Sequence, residues 1–345
     1  MRSPRRTLQA VQSCLFLSLS TIIFVAPGVR AQTATSPSPS KINVVIGLGV
    51  GGAYDIHARV LSRHMGRYLP GNPVMVPQNM TGAGGLVMAN WLYNIAPKDG
   101  TSIGTLANTM PALQAVGGKG VQFDAGKFYW LGAITPSVQT IGVWHTRGYK
   151  SIKDAQDHEI LVAASSPGAI AYAFPRLLNE FIGTKFKIIT GYQGVAQMSL
   201  AMERGEVDAH ANTWSGWKTA NREWVEQGKV LILAQINPKA HDLPNVPAVE
   251  DLVVDKDDRE IVEFVVGGNR LGRPFAAPPN VPLATVLALR QAFAETMKDV
   301  DFISDAAKLN VDVEPVGGEE MQKLVEKTLS INARLAERAK PFLSD

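Results

Sequence analysis

From Ile42 to Ile46 the chain reads INVVI, an almost wholly apolar run, and the next apolar positions, Ile56, Val60, Leu61, Met65, Tyr68 and Leu69, recur every three or four residues. A buried strand followed by an amphipathic helix accounts for both patterns. The pattern then repeats. Val74–Val76 reads as a strand, a helix is expected near Leu86–Ile95, and Ser102–Leu106 reads as the next strand. In the middle of the chain strands are predicted at Thr140–Trp144, Ile160–Ala163, Lys185–Ile189, Val207–Ala211 and Val230–Ile236. Between them, Ile170, Ala173, Phe174, Leu177, Leu178, Phe181 and Ile182 mark one face of a helix that ends at Gly183, with Pro175 expected to kink it. Further helices are expected at Val195–Arg204, closed by Gly205, and Trp214–Gln227, closed by Gly228. Glycine just past a helix end supplies the left-handed residue that termination favours.

The last hundred residues predict helices at Leu283–Lys298, Phe302–Leu309 and Glu319–Ala339, with a strand-like Val311–Val316. Strands alternating with helices imply a mostly parallel sheet covered on both faces. Two such α/β lobes suit the chain better than one large sheet, with a boundary near Ser137 and a return near Val262–Gly268. The charge run Asp251–Glu260 reads as a solvated surface segment.

The first residues break the pattern. Arg2, Arg5 and Arg6 precede a mostly apolar stretch, Cys14–Ala26, and Val29-Arg30-Ala31 follows with small residues where a signal peptidase cuts. This is the form of a secretory signal peptide cleaved near Ala31, and its apolar stretch is too short to span a bilayer. Residues 32–40, rich in Ser, Thr and Pro, read as a linker. The leader changes the charge account. The formal charge of the 345 residues is +3, but four of the 34 basic residues belong to the leader, and the rest nearly balance the 31 acidic ones. No nucleic-acid partner is therefore expected. Cys14, the one cysteine, leaves with the leader, so the mature chain has no disulfide, thiolate ligand or cysteine nucleophile. Hydrophobic residues at 46% and charged residues at 19% fit an ordinary globular protein.

Gly47-Leu-Gly49-Val-Gly-Gly52 matches G-x-G-x-x-G between a strand and a helix, where a dinucleotide-binding turn would lie. Such a site also needs an acidic residue about 20 positions on to hold the ribose. None exists between Asp55 and Asp99, so no nucleotide cofactor is expected. The loop remains suited to an anion. Its glycines let backbone N–H groups approach a ligand, and Asp55 is expected to cap a helix starting at Ile56. A plain tight turn with no ligand is the alternative. Similar donor-rich loops occur at Thr81–Gly85, at Asn108-Thr109 after the third strand, and at Ser165-Ser166-Pro167-Gly168, where Ser166 caps and Pro167 opens a helix. In open α/β sheets such loops converge beyond the carboxyl ends of the strands.

These segments resemble a known family, the periplasmic substrate-binding proteins of tripartite tricarboxylate transporters, or Bug-type receptors. The matching segments are Gly51–Arg59, Gln78–Gly85, Ala96–Gly100, Gly191–Gly194, Glu203–Asp208, Leu243–Pro247 and Arg273–Pro279, in the family's order across nearly the whole mature chain. The resemblance implies a two-lobed fold of the type II periplasmic-binding-protein kind, with two hinge crossovers and a small carboxylate held between lobes. Lobe 1 would comprise residues 41–137 and 263–345, and lobe 2 residues 138–262. It further implies that Gly51, Gly52, Ala53, Tyr54 and Asp55 grip one carboxylate. Ser165, Ser166, Gly168 and Ala169, with Tyr192 and Gly194, would meet the ligand from the second lobe. The chain departs from the family pattern at Tyr54, where a small hydroxyl residue is usual, and at Thr81, where proline is common. The segment Asn212–Trp217 also departs from it, and Asn212 and Trp214 are added as candidates that read the ligand's body. Trp214 lines the cleft or packs in the core, whereas Trp217 and Trp224, on the same helical face, read as core.

No H-E-x-x-H spacing supports a metal, His57 and His64 read as ordinary helix-face residues, and no G-x-S-x-G elbow supports a serine hydrolase. The expected function is that of a monomeric periplasmic receptor, without cofactor or metal, that delivers a small organic carboxylate to the membrane subunits of a tripartite tricarboxylate-type transporter. The competing reading is a periplasmic sensor input or an enzyme acting on a carboxylic acid in the same cleft.

Overall fold

A computed structural model describes residues 39–165, 170–192 and 194–343. The expected signal peptide and nearly all of the linker lie outside the described residues, as do Ser166, Gly168 and Ala169. Strand β1 (Lys41–Ile46) explains its own apolar run: Ile42, Val44 and Ile46 enter one core while Val45 enters another on the opposite face. Beside it pair β2 (Val74–Asn79) and β3 (Ser102–Thr105), both parallel. The following strands are β4 (Tyr129–Ala133), β5 (Gln139–Trp144), β6 (Ile160–Ala163), β7 (Phe186–Ile189), β8 (Ala209–Thr213), β9 (Val230–Gln235), β10 (Phe275–Ala277) and β11 (Val316–Gly317). They form two sheets, ordered β11-β4-β10-β3-β1-β2 and β7-β6-β8-β5-β9.

Both sheets are mixed rather than mostly parallel. Strand β10 returns from the second sheet and inserts antiparallel between β3 and β4. Likewise β5, the first strand of the second sheet, lies antiparallel between β8 and β9. The strands that carry the chain between sheets thus run against their neighbours, and only β1–β3 and β6–β8 keep the βαβ sense.

The helix Ala53–His64 buries Val60 and Leu61 against the first sheet, and Ile170–Ile182 buries Phe174, Leu177 and Leu178 against the second. Three expectations shift. The helix expected over 214–227 breaks at Asn221 into Trp214–Ala220 and Arg222–Glu226, so the three tryptophans do not share one continuous face. The one expected over 319–339 divides into Gly318–Leu329 and Ala333–Ala339, because the Asn332 side chain accepts from the Arg334 N–H and starts a new helix. The charge run at 251–260 is not wholly solvated. Asp255 caps a helix, Lys256–Gly267, whose Ile261, Val262, Val265 and Val266 are buried.

Helix Lys256–Gly267 straddles residue 263, and its apolar face joins the core of the second sheet. Leu335, Ala336, Ala339 and Phe342 join the same core, so the end of the described chain packs on the second sheet rather than the first. Phe342 sits 5.6 Å from Phe181 and beneath the Arg176 guanidinium. Among the described residues, no helix is long and apolar enough to cross a membrane.

Candidate ligand site between the two sheets

Strand β3 ends at Thr105, and the chain turns through Ala107, Asn108 and Thr109 into the helix Met110–Ala115. Facing that turn is the loop Gly82–Gly85, four consecutive residues with positive φ, a backbone that glycine at three of the four positions makes accessible. Ala83, Gly84, Asn108 and Thr109 line one wall of a cavity of about 530 Å³. Gln139 and Thr213, at paired positions of β5 and β8, line it from the second sheet. Ser137 and Asn269, on the two chain passages between sheets, add to it and are tied together by a 2.8 Å bond from the Ser137 N–H to the Asn269 carbonyl.

Arg273 enters the same cavity just before β10. Gly272 ahead of it adopts φ +62°, and a Cβ there would lie 2.1 Å from the Thr135 carbonyl oxygen, so only glycine allows the passages to approach this closely. Arg273 is 6% exposed, its Nη1 is fully buried without a hydrogen-bond partner, and it forms no ion pair among the described residues. Burial pushes its pKa down from the ordinary value, partly opposed by Tyr54, yet a guanidinium stays protonated at any physiological pH. Beside it, burial and then the Arg273 charge hold His57 down at about 3, so His57 is a neutral imidazole and Arg273 the local cation. A buried cation without a counter-ion is costly and calls for an anion.

Tyr54 lines the cavity as well, and its Oη accepts the Asn108 N–H at 3.0 Å. Burial pushes this phenol up, while the Asn108 N–H and the Arg273 charge pull it back. The adjacent Asp55 braces the start of this helix, but not by the cap expected from the sequence. The helix begins at Ala53 with Gly52 as N-cap, and the Asp55 carboxylate reaches back to accept the Gly51 N–H at 3.0 Å, Arg59 Nε at 2.8 Å and Asn79 Nδ2 at 3.0 Å. Arg59 chiefly, helped by Gly51 and Asn79, holds that carboxyl at about 2.

Of the residues singled out in the sequence, Tyr54, Asn108 and Thr109 meet at the cavity. Gly51, Gly52 and Ala53 are exposed and do not line it; the Gly51 N–H is taken by Asp55, and the Gly52 N–H faces the Gly49 carbonyl at 3.4 Å. Asp55 is buried behind them as a brace. Ser165, Tyr192 and Gly194 stand off the cavity, with the Tyr192 N–H directed at the Ala164 carbonyl. Trp214 is buried and donates its indole N–H to Asp242 at 2.6 Å, outside the cavity, and Asn212 Oδ1 accepts the Thr213 N–H. Arg273 opened one of the family-matching segments but was not taken as a site residue, and Gln139 was not singled out. The signal for Arg273 was a lone arginine between glycine and proline at the mouth of an apolar strand. Among the described residues, no cluster of His, Cys, Asp and Glu could hold a metal.

No protein-family profile and no curated protein sequence matches the chain. Solved structures do. A TctC solute-binding protein from Polaromonas, without ligand, matches at TM-score 0.68 and 16% identity, covering 88% of this chain and 100% of that one. MatC from Rhodopseudomonas palustris with bound malate matches at TM-score 0.60 and 19% identity, over 86% and 98% of the two chains. A further R. palustris protein with adipate matches at 0.61 and 17%, over 87% and 97%. The chain thus has the two-lobed α/β fold of periplasmic solute-binding proteins. The resemblance read from the sequence motifs holds at the level of this fold.

Proposed function

We propose that the protein is an exported solute-binding receptor that captures a small organic carboxylate in the cavity between its sheets and hands it to the membrane subunits of a tripartite tricarboxylate-type transporter. The observation that carries this reading is the buried, unpaired guanidinium of Arg273 facing a cavity of small-molecule size. Arginine presents a planar fork that matches a carboxylate bidentately. The malate and adipate bound by two proteins of the same fold support the ligand class. The turn at Asn108-Thr109 and the Tyr54 hydroxyl, which line the cavity, would supply further hydrogen bonds, and Ser166, Gly168 and Ala169 are kept as second-lobe contacts. Closure of the lobes over the acid would create the shape a membrane partner reads.

The test is a thermal-shift screen of the mature protein over carboxylic acids, followed by recovery of the bound acid. A ligand at 100 times its Kd adds about 2.7 kcal/mol to stability. Stoichiometric, unchanged acid supports a receptor; conversion of the acid supports the enzyme reading instead, and no shift with any acid defeats the proposal.

A further inference from the structure

The cavity has an uneven inventory of charge. Arg273 is the one ionised side chain among its described lining residues, and none of those residues is an aspartate or glutamate. Much of the rest is apolar, contributed by Leu48, Met110, Leu113, Ile170, Val265 and Phe342.

Gln139 is the second unusual group. It is 1% exposed, and both its Oε1 and Nε2 are fully buried without a hydrogen-bond partner among the described residues. A buried amide is normally satisfied. The same molecule shows this at Gln235, equally buried, whose Nε2 donates to the Leu243 and Val246 carbonyls at 2.7 and 2.9 Å and whose Oε1 accepts the Ala240 N–H at 2.8 Å. Gln235 is a structural amide. Gln139 offers one donor pair and one acceptor to whatever enters the cavity.

Granted the carboxylate-receptor reading, on which this rests, we infer that the ligand is a monocarboxylate with an apolar body and a neutral group, hydroxyl or primary amide, that both donates and accepts a hydrogen bond. The carboxylate lies on Arg273 and the neutral group on Gln139. A second carboxylate would meet an uncharged wall, and an ammonium group would find no carboxylate to pair with; both are disfavoured by the cost of burying an unpaired charge. In this the chain differs from its malate- and adipate-bound neighbours of the same fold.

The experiment is calorimetry on the mature chain with two matched series. One is hexanoate, 6-hydroxyhexanoate, the monoamide of adipic acid, adipate and 6-aminohexanoate; the other is benzoate, 4-hydroxybenzoate and terephthalate. The hydroxy acid and monoamide are expected to bind at least about tenfold more tightly than the unsubstituted acid, the dianion and the zwitterion. Gln139→Leu and Gln139→Met are expected to erase that advantage while leaving hexanoate or benzoate affinity in place, which also reports that the variants fold. A dianion that binds best, or an advantage that survives both substitutions, overturns the inference and leaves the receptor reading standing. Binding of no acid in either series overturns both.

Discussion

Replacing Arg273 by methionine keeps much of the side-chain volume and removes the charge, and it should move two quantities in opposite directions. In the free protein the guanidinium is buried without a counter-ion, so its desolvation is uncompensated. Removing such a charge should stabilise the unliganded fold by about 1–3 kcal/mol, which for a chain of this length is an upward shift in Tm of a few degrees. Binding should change the other way. A bidentate arginine–carboxylate contact comprises two charge-assisted hydrogen bonds at about 1.5–3 kcal/mol each, so its loss should raise Kd by roughly two to four orders of magnitude. Differential scanning calorimetry without ligand and isothermal titration with the best acid measure the two effects separately. A misfolded variant would lose both. Wild-type affinity in Arg273→Met, or a lower Tm in the absence of ligand, would refute the reasoning that the guanidinium waits for an anion.

Stability should also fall with pH on the acid side. His57 and His210 are buried and held near 3 and 4, chiefly by burial, against 6.5 for a free imidazole. Below about pH 6.5 the unfolded chain therefore takes up protons that the folded one refuses, so their contribution is complete above that pH and is lost as pH falls toward 3–4. Urea denaturation at pH 7 and pH 5 should show this loss, and His57→Gln with His210→Gln should flatten it; an unchanged slope in the double variant would count against the assignment. Gly272→Ala should cost about 3 kcal/mol or more, because it adds both a forbidden φ and a clash with the Thr135 carbonyl, and chemical denaturation giving under 1 kcal/mol would contradict the geometry. Asp55→Ala leaves the Gly51 N–H, Arg59 and Asn79 without their acceptor and should cost about 2–3 kcal/mol in the same assay; no change would mean that the brace carries no load.

Periodicity made the two-sheet architecture legible. Runs such as Ile42–Ile46 and the helical spacing of Phe174, Leu177 and Leu178 reflect burial on defined faces, and burial leaves its trace in local sequence. The antiparallel insertions of β5 and β10 left no such trace, since strand direction depends on where the chain comes from and not on which residues it contains. The helix Lys256–Gly267 was obscured because its first turn carries the charges that favour a helix N-terminus, which in a short window look like a solvated loop. The site was half legible. Asn108 and Thr109 followed from the rule that ligands lie beyond strand ends, and Tyr54 from the motif. In the glycine loop, a sequence shows that backbone donors exist but not that Asp55 takes one of them. Arg273 and Gln139 stand out by the absence of partners, a property that exists only once the surrounding chain is folded.

The packing of the last described helix has a practical consequence. Phe342 and Leu343 line the cavity itself, only a few residues after Ala333–Ala339 has docked on the second sheet. The last described residue, Leu343, is thus part of the cavity wall. A purification tag appended at that end, or trimming back past Phe342, would alter the chamber wall directly, and affinities measured on such proteins would report the tag or the cut as much as the native pocket.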